Sequence, residues 1–445
     1  MTAFGVGEAC AMNARPSAAD DTAPLPIALY MPDLSDGGME RVMLNLAEAF
    51  LARGHEVDLL VSRADGIYRD HLPEGVRLLV LEPTGPLLSR LQALRATRPA
   101  EWKTLAWTVL LGRKPGRQLS RLPSLVRYLR ARRPGALIAA NTYCNLNAVW
   151  ARRLAGVPTR VMVTEHNALS PKNTRTGIGG AQWLARLPLI GQVYARADVV
   201  LAVSDGVADD LSAVTGLARS RIATVYNPVI KSDLAARAGE AAPHPWLADG
   251  GSAPVIVATG RLAPQKNFPL LLQAFALLRR QRPARLLILG EGRLRPQLEA
   301  LIAELGLGED VALPGFVTNP YAAFARASLF VLSSDYEGLG NVLIEAMACG
   351  CPVVSTDCPS GPAEILEGGR LGELVPVKDA AALSAAMRRA LDTPRANADA
   401  LRRRGAYFSQ ERSAERYLEL LFGQRRAPSG VTACQLAGEA LSPRL

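Results

Sequence analysis

The sequence between Leu329 and Thr356 reads LFVLSSDYEGLGNVLIEAMACGCPVVST. A short apolar run of strand length is followed by a glycine-bearing loop, an apolar segment of helical period and a second β-branched run. This order predicts a strand, a loop, a helix and a second strand, which is the repeating unit of a parallel α/β sheet.

The loop of this unit has the composition of a phosphate site between two carboxylates. Gly338 and Gly340 let backbone N–H groups approach a ligand, and the helix that begins near Asn341 has a partial positive charge at that end. Glu337 and Glu345 flank this point, and carboxylates accept hydrogen bonds from sugar hydroxyls. The pattern indicates a ligand with phosphates between two sugar-like ends. An isolated Glu-x7-Glu is more often a solvated loop acid and a helix-surface charge.

The segment EGLGNVLIEAMACGCPVVST resembles the Glu-x7-Glu signature of retaining glycosyltransferase family 4. Members of that family have the GT-B fold, in which two Rossmann-like domains face each other across a cleft. The resemblance covers roughly residues 27–422 and rests on five motifs in order, GGMER, EHN, GRLAPQKN, PGF and EGLGNVLIEA. It implies an α/β protein of the GT-B fold that transfers sugars.

Composition excludes several classes of protein. The chain has 445 residues, of which 49% are apolar and 21% charged, and this indicates a globular protein of two or three domains. No uninterrupted apolar run is long enough to predict a membrane-spanning helix. Six cysteines without a C-x-x-C pair and four scattered histidines argue against a zinc site or a disulfide framework and fit a reducing cytosol. We expect neither a metal nor a cofactor.

The net charge of +10 is concentrated between Gly85 and Pro134. This basic segment has twelve Lys or Arg against one acid, Glu101, and contains the Trp-bearing stretch EWKTLAWTVLLGRK. Apolar side chains beside cations favour contact with an anionic membrane surface. A plain solvated surface is one alternative, and nucleic-acid binding is another, for which no recognition motif is present.

Changes in composition and periodicity divide the chain into six units. The predicted units are a disordered leader (1–25), an N-terminal Rossmann-like acceptor-side domain (26–229) with a basic insertion (85–134), a linker (230–253), a C-terminal Rossmann-like nucleotide-sugar domain (254–406), a terminal helix (407–423) and a disordered tail (424–445). By the resemblance, the terminal helix crosses back onto the first domain.

Two loops of the first domain are expected to reach the ligand. Gly37 and Gly38 follow the strand predicted at 27–31, and the resemblance implies that Gly38 lies beside the donor diphosphate. His166 follows the strand predicted at 160–163, at the edge where ligands of open α/β sheets bind. Its ring can contact a donor sugar or an acceptor hydroxyl.

In the second domain, the loop GRLAPQKNF follows a predicted strand and places two cations, Arg261 and Lys266, at the strand end. The resemblance implies that they neutralise the leaving diphosphate, as a metal does in other transferases. It also implies that Glu345 holds the ribose hydroxyls and Glu337 the hydroxyls of the donor sugar. The remaining implied donor-binding residues are Gly315, Phe316 and Val317 at the base, and Gly338, Leu339, Gly340, Asn341 and Val342.

The sequence therefore predicts a retaining hexosyltransferase. Its expected donor is a nucleotide-diphosphate sugar, with UDP as the favoured nucleotide, and its expected acceptor is a polyprenyl-diphosphate-linked or other glycan. We expect a cytoplasmic protein attached peripherally to the inner face of the plasma membrane, in exopolysaccharide or lipopolysaccharide assembly. One alternative is a UDP-sugar epimerase of the same fold, for which no acid and base for C2 proton removal are identified. The other is a nucleic-acid-binding protein, which leaves the second-domain motifs unexplained.

Overall fold

The computed structural model describes residues 24–35, 37–102, 118–170, 181–248, 253–393 and 397–423. The predicted tail, nearly all of the predicted leader and the centre of the basic segment, residues 103–117, lie outside these ranges.

The first domain is built on a seven-stranded parallel sheet with the order β3-β2-β1-β4-β5-β6-β7. Its strands are β1 Ile27–Met31, β2 Val57–Val61, β3 Val76–Val80, β4 Ala136–Ala140, β5 Arg160–Glu165, β6 Val199–Ala202 and β7 Ile222–Thr224. Every residue of β1, β2 and β4 is buried. Continuous apolar runs such as those of β1 and β4 form the centre of a sheet that is covered by helices on both faces.

The helices of the first domain connect these strands. They are Gly38–Leu51, Pro86–Ala96, Leu122–Arg132, Thr142–Ala155, Ala181–Leu184, Leu187–Tyr194 and Asp205–Thr215. Helix Thr142–Ala155 is capped by Asn141, whose side chain accepts a hydrogen bond from the backbone N–H of Tyr143. It ends at Gly156, whose φ of 68° lies in the left-handed region that favours glycine.

The second domain repeats the architecture with a six-stranded parallel sheet of order β10-β9-β8-β11-β12-β13. Its strands are β8 Val255–Thr259, β9 Arg285–Leu289, β10 Val311–Gly315, β11 Leu329–Leu332, β12 Val353–Thr356 and β13 Glu373–Val375. Its helices are Phe268–Arg279, Arg295–Glu304, Tyr321–Arg326, Asn341–Ala348, Pro362–Ile365, Ala380–Asp392 and Ala398–Ala406.

Both sheets have a topological switch point, between β1 and β4 and between β8 and β11. Ligands of open α/β sheets bind outside the carboxyl ends of the strands at such points. The predicted fold class of two Rossmann-like α/β domains is confirmed.

The segment predicted as a linker, 230–253, contains regular structure. Helix Leu234–Gly239 packs on helix Tyr321–Arg326, because the side chains of Arg326 and Asn319 donate hydrogen bonds to its carbonyl oxygens. These contacts explain a helix that has no apolar periodicity of its own.

The last helix of the described residues, Gln410–Phe422, packs against the first domain. Tyr417 and Leu421 are fully buried in the cluster that covers one face of the first sheet. The side chain of Gln410 donates a 2.6 Å hydrogen bond to the carbonyl oxygen of Asn45 in helix Gly38–Leu51.

Part of the predicted basic insertion (85–134) is packed into the first domain. Leu122, Leu125 and Leu129 of helix Leu122–Arg132 are buried in the main core. Arg132 of the same helix pairs with Glu56 and Asp58 of the first domain. Over the ranges given above, no helix combines the length and the hydropathy needed to cross a bilayer.

Candidate active site

Two helix N-termini face each other where the switch points of the two sheets meet. Helix Gly38–Leu51 follows β1, and helix Asn341–Ala348 follows β11. A Cβ atom added to Gly38 would lie 3.8 Å from Nδ2 of Asn341, so the first-domain turn is in contact distance of the second-domain helix. Gly340 caps that helix with φ 99°, a conformation that favours glycine. The predicted phosphate site is therefore bounded by both domains.

Lys266 and Glu337 form an ion pair at one side of this point. Nζ of Lys266 lies 2.6 Å from Oε1 of Glu337, and the hydroxyl of Ser334 donates a 2.6 Å hydrogen bond to the same oxygen. Glu337 is buried. The Lys266 side chain passes over Gly260, where an added Cβ would lie 2.9 Å from its Cε atom.

The loops that carry this pair are tied to each other. The backbone N–H of Asp335 donates to the carbonyl oxygen of Gln265 at 2.9 Å, and the Gln265 side chain donates to the carbonyl oxygen of Tyr336 at 3.0 Å. Asn267 donates to the carboxylate of Asp335 at 2.8 Å and also caps helix Phe268–Arg279. Arg261 of the same loop is exposed. It takes part in none of the ion pairs formed between described residues.

Glu345 lies at the other side of the site and is only 2% exposed. Its Oε1 atom is 2.9 Å from Nη1 of Arg41 and accepts a 3.2 Å hydrogen bond from the hydroxyl of Tyr321. Its Oε2 atom is shielded from water and has no hydrogen-bond partner among the described residues. The charge of Glu345 raises the pKa of the Arg41 guanidinium above its ordinary value.

Sequence reasoning missed Arg41, Tyr321 and Ser334 as site residues. Arg41 stands in the GGMER motif, but only the glycines of that motif received a role. Tyr321 and Ser334 belong to no motif, and nothing in the sequence links them to Glu345 or Glu337.

His166 lies directly after β5 on the first-domain side of the cleft. Its Nε2 atom is 2.9 Å from the hydroxyl oxygen of Thr164. Burial lowers the pKa of His166 to about 4, so the ring is neutral at physiological pH. Ser204, at the end of β6, donates a 2.6 Å hydrogen bond to the carbonyl oxygen of Gly338 and so ties this edge of the first domain to the second.

The residues predicted to seat the base lie at the end of β10. Gly315 has φ 92°, and its carbonyl oxygen accepts a hydrogen bond from the backbone N–H of Gly290 at 2.8 Å. Phe316 is exposed and Val317 is partly buried. The side chain of Leu339 is buried in the core, so only its backbone can face a ligand, and Val342 is partly buried.

Two sequence profiles match the chain, one for each domain. The profile described as Glycosyltransferase Family 4 matches residues 36–232, and the one described as Glycosyl transferases group 1 matches residues 253–393. Each match includes the loops at the carboxyl ends of its own sheet.

The chain is similar to bacterial glycosyltransferases of lipid-linked glycans and polysaccharides. It is 36% identical to the N-acetylgalactosamine-N,N'-diacetylbacillosaminyl-diphospho-undecaprenol 4-alpha-N-acetylgalactosaminyltransferase of Campylobacter jejuni over 51% of this chain. The match spans 58% of that relative, which is less than two thirds of its length. The putative colanic acid biosynthesis glycosyltransferase WcaL of Salmonella typhimurium is 27% identical over 78% of this chain and 86% of its own length.

Solved structures share the fold. Anabaena Alr3699/HepE, solved in complex with UDP and glucose, superposes with a TM-score of 0.69 at 19% identity. The superposition covers 89% of this chain and 99% of the Anabaena chain. At this identity the likeness shows the fold alone.

Proposed function

The chain belongs to the family 4 glycosyltransferases, and on that premise we propose that it transfers a hexose or N-acetylhexosamine with retention of configuration. The proposed donor is a UDP-linked sugar, and the proposed acceptor is a glycan carried on a polyprenyl diphosphate or a related lipid. The reaction takes place at the inner face of the plasma membrane, without a metal or other cofactor.

One observation carries this proposal. The N-terminus of helix Asn341–Ala348 faces the turn at Gly38 and lies between two buried carboxylates, Glu337 and Glu345. The helix terminus and the glycine turn suit a diphosphate, whose charge is balanced by Arg261 and Lys266. Glu345 then accepts from the ribose hydroxyls, and Glu337 accepts from the hydroxyls of the transferred sugar.

In the proposed reaction the bond between the anomeric carbon and the diphosphate oxygen breaks, and the acceptor oxygen forms a bond to that carbon on the same face. The acceptor proton passes to the leaving phosphate oxygen, so no side chain is needed as a base. Lys266 and Arg261 stabilise the negative charge that develops on the diphosphate. His166, which is neutral, orients the sugar or the acceptor hydroxyl by hydrogen bonding.

The lipid-linked acceptor is supported by a relative and by one surface helix. The name of the C. jejuni relative specifies a diphospho-undecaprenol-linked acceptor. In this chain, small residues of helix Pro86–Ala96 are buried and three of its four leucines are exposed, whereas the fourth, Leu94, packs against the core. The buried residues are Ser89, Ala93 and Ala96, and the exposed ones are Leu87 at 77%, Leu88 at 49% and Leu91 at 51%.

Cations accompany these leucines. Arg95 and Arg98 are exposed beside them, and Trp102 is 47% exposed at the end of the described stretch. Exposed leucines beside arginines favour binding to an anionic bilayer surface. There the apolar face enters the headgroup boundary and the cations stay near the phosphates. We propose that this helix docks the enzyme on the membrane that holds its acceptor.

Nucleotide binding tests the donor site. Thermal unfolding is measured with UDP, GDP, ADP and dTDP, in EDTA and then with Mg²⁺, on the wild type and on Glu345→Ala. A nucleotide at a hundred times its dissociation constant adds about 2.7 kcal/mol of stability. We expect stabilisation by UDP in EDTA and its loss in the variant. No stabilisation by any nucleotide, or a strict need for Mg²⁺, contradicts the proposal.

Product analysis tests the reaction. With UDP-sugars and a polyprenyl-diphosphate-linked acceptor, we expect a glycosylated lipid whose new linkage has the anomeric configuration of the donor. Turnover of the UDP-sugar without any acceptor, with a changed configuration at C2, instead identifies an epimerase.

A further inference from the structure

Arg41 and Glu345 join the two domains by an ion pair at the donor site. Arg41 projects from the first turn of helix Gly38–Leu51 in the first domain, and Glu345 lies in helix Asn341–Ala348 of the second. Nη1 of Arg41 is 2.9 Å from Oε1 of Glu345, and Nη2 of Arg41 donates to the hydroxyl of Tyr321. Tyr321 in turn donates to the same Oε1 atom, so the three side chains form a closed triangle.

Within this triangle, only one oxygen of the Glu345 carboxylate accepts hydrogen bonds. Oε1 of Glu345 has two donors, whereas Oε2 has none within the described part of the chain and no access to water. A buried carboxylate without a partner is costly, because desolvation disfavours its charge. The guanidinium of Arg41 provides the compensating charge and fixes the plane of the carboxylate.

We infer that Arg41 is a positioning residue for the nucleoside, which orients the Glu345 carboxylate towards a ribose hydroxyl, and which makes nucleotide affinity depend on docking of the first domain. The inference rests on the proposed function, because that function assigns the ribose to Glu345. Arg41 itself does not touch the nucleoside in this scheme.

Because Arg41 and Glu345 lie on opposite domains, their ion pair depends on whether the cleft is open or closed. When the cleft opens, the guanidinium leaves, and Glu345 loses both the charge that compensates it and the contact that orients it. A nucleotide that needs an oriented, ionised Glu345 therefore binds the closed arrangement more tightly than the open one. By thermodynamic reciprocity, a bound nucleotide also favours closure.

The experiment compares two ligands on four proteins. Isothermal titration calorimetry measures binding of UDP and of 2',3'-dideoxy-UDP to the wild type, Arg41→Met, Arg41→Lys and Arg237→Met. Arg237 is the matched control, because its guanidinium stacks on the Tyr321 ring at 4.7 Å and makes no ion pair with Glu345 among the described residues. Circular dichroism confirms that each variant is folded.

The wild type should bind UDP roughly 10- to 100-fold more tightly than the dideoxy analogue, as expected for a hydrogen bond to a charged group. In Arg41→Met we expect UDP affinity to fall about tenfold or more while affinity for the analogue hardly changes, so that the discrimination collapses. Arg41→Lys keeps the charge without the planar fork and should retain part of the discrimination. Arg237→Met should retain all of it.

A purely structural role for Arg41 gives a different result. It would weaken both ligands equally and leave their ratio at the wild-type value, and this outcome overturns the inference while the proposed donor stands. The same holds if Arg41→Met binds both ligands as the wild type does. If Arg41→Met does not fold, the double variant Arg41→Lys/Tyr321→Phe replaces it. Full wild-type discrimination between the two ligands in that double variant overturns the inference. If the wild type binds no UDP, the proposed function fails and the role of Arg41 is rejected with it.

Discussion

The backbone of Gly338 in the second domain lies against the carbonyl oxygen of His166 in the first. A Cβ atom added to Gly338 would fall 1.9 Å from that oxygen, a distance that real Cβ atoms do not adopt. The sequence predicts a ligand contact for both residues. The structure brings their backbones into direct contact between the two domains.

Replacing Gly338 by Ala should therefore push the two domains apart. We expect kcat/KM to fall about 100-fold, because a displacement near 1 Å at a reacting site has effects of this size. The melting temperature should change little, since neither sheet loses a packed side chain. Gly308→Ala is the matched control, because a Cβ at Gly308 has no neighbour within 4 Å and its activity should equal that of the wild type. Full activity of Gly338→Ala would show that the contact is not needed for turnover.

The ion pair of Lys266 and Glu337 allows charge compensation to be separated from catalysis. Lys266→Met leaves the buried carboxylate of Glu337 without its cation, and we expect a loss of about 3 kcal/mol in the free energy of unfolding together with a loss of activity. Lys266→Met combined with Glu337→Gln removes both charges. The double variant should recover most of the stability, measured by urea unfolding, and none of the activity. Recovery of activity in the double variant contradicts the assigned roles.

His166 should make stability depend on pH. Burial lowers its pKa from 6.5 to about 4 in the folded protein, so between these values the unfolded chain binds the proton and the folded chain does not. Stability from this residue is present above pH 6.5 and is lost as the pH falls towards 4. The loss is at most about 3 kcal/mol, at 1.36 kcal/mol for each unit of pKa.

The neighbouring Glu165 titrates in the opposite sense. Burial raises its pKa from 4.5 to about 7, although Tyr194, Thr142 and Asn145 donate hydrogen bonds to it, so its contribution is lost as the pH rises through this window. We therefore expect the difference in unfolding free energy between wild type and His166→Gln to increase from pH 4 to pH 6.5. Because both proteins contain Glu165, urea unfolding of the two in parallel cancels its contribution. A difference in unfolding free energy that stays constant over this pH range rules out the lowered pKa of His166.

The membrane proposal predicts that three leucines control attachment. Substitution of Leu87, Leu88 and Leu91 by Ser should lower partitioning onto vesicles that contain an anionic phospholipid by about 100-fold, because less apolar surface enters the bilayer. Flotation of the protein with liposomes measures this. Ile67→Ser is the control, since Ile67 is 43% exposed outside this helix. Equal flotation of the triple variant and the wild type, or binding of neither, excludes docking through this helix.

The sequence predicts the sheets and the loops of the site well, because both depend on local patterns. Continuous apolar runs such as Ile27–Met31 form the centre of a parallel sheet, and glycines and cations at the ends of such runs reach the cleft. Lys266 and Glu337, predicted on separate loops, lie 2.6 Å apart because both loops follow neighbouring strands.

Features that depend on distant contacts could not be predicted in this way. Helix Leu234–Gly239 has no periodicity and is held by side chains of Asn319 and Arg326, about 80 residues later in the chain. The pairing of Arg41 with Glu345 joins residues of different domains, and the type of the Glu345 side chain does not show that it is buried. The outward leucines of helix Pro86–Ala96 oppose the usual amphipathic pattern, in which apolar residues mark the buried face.

The terminal helix completes the core of the first domain but is translated only after both sheets. Tyr417 and Leu421 complete the apolar cluster over the first sheet, yet about 200 residues are translated between the last strand of that sheet, Ile222–Thr224, and the end of helix Gln410–Phe422. At 5–20 residues per second, the first domain waits roughly 10 to 40 s on the ribosome with part of its core uncovered. A nascent chain stalled before Gln410 should expose that face to chaperones, even though every strand of both sheets has already been made.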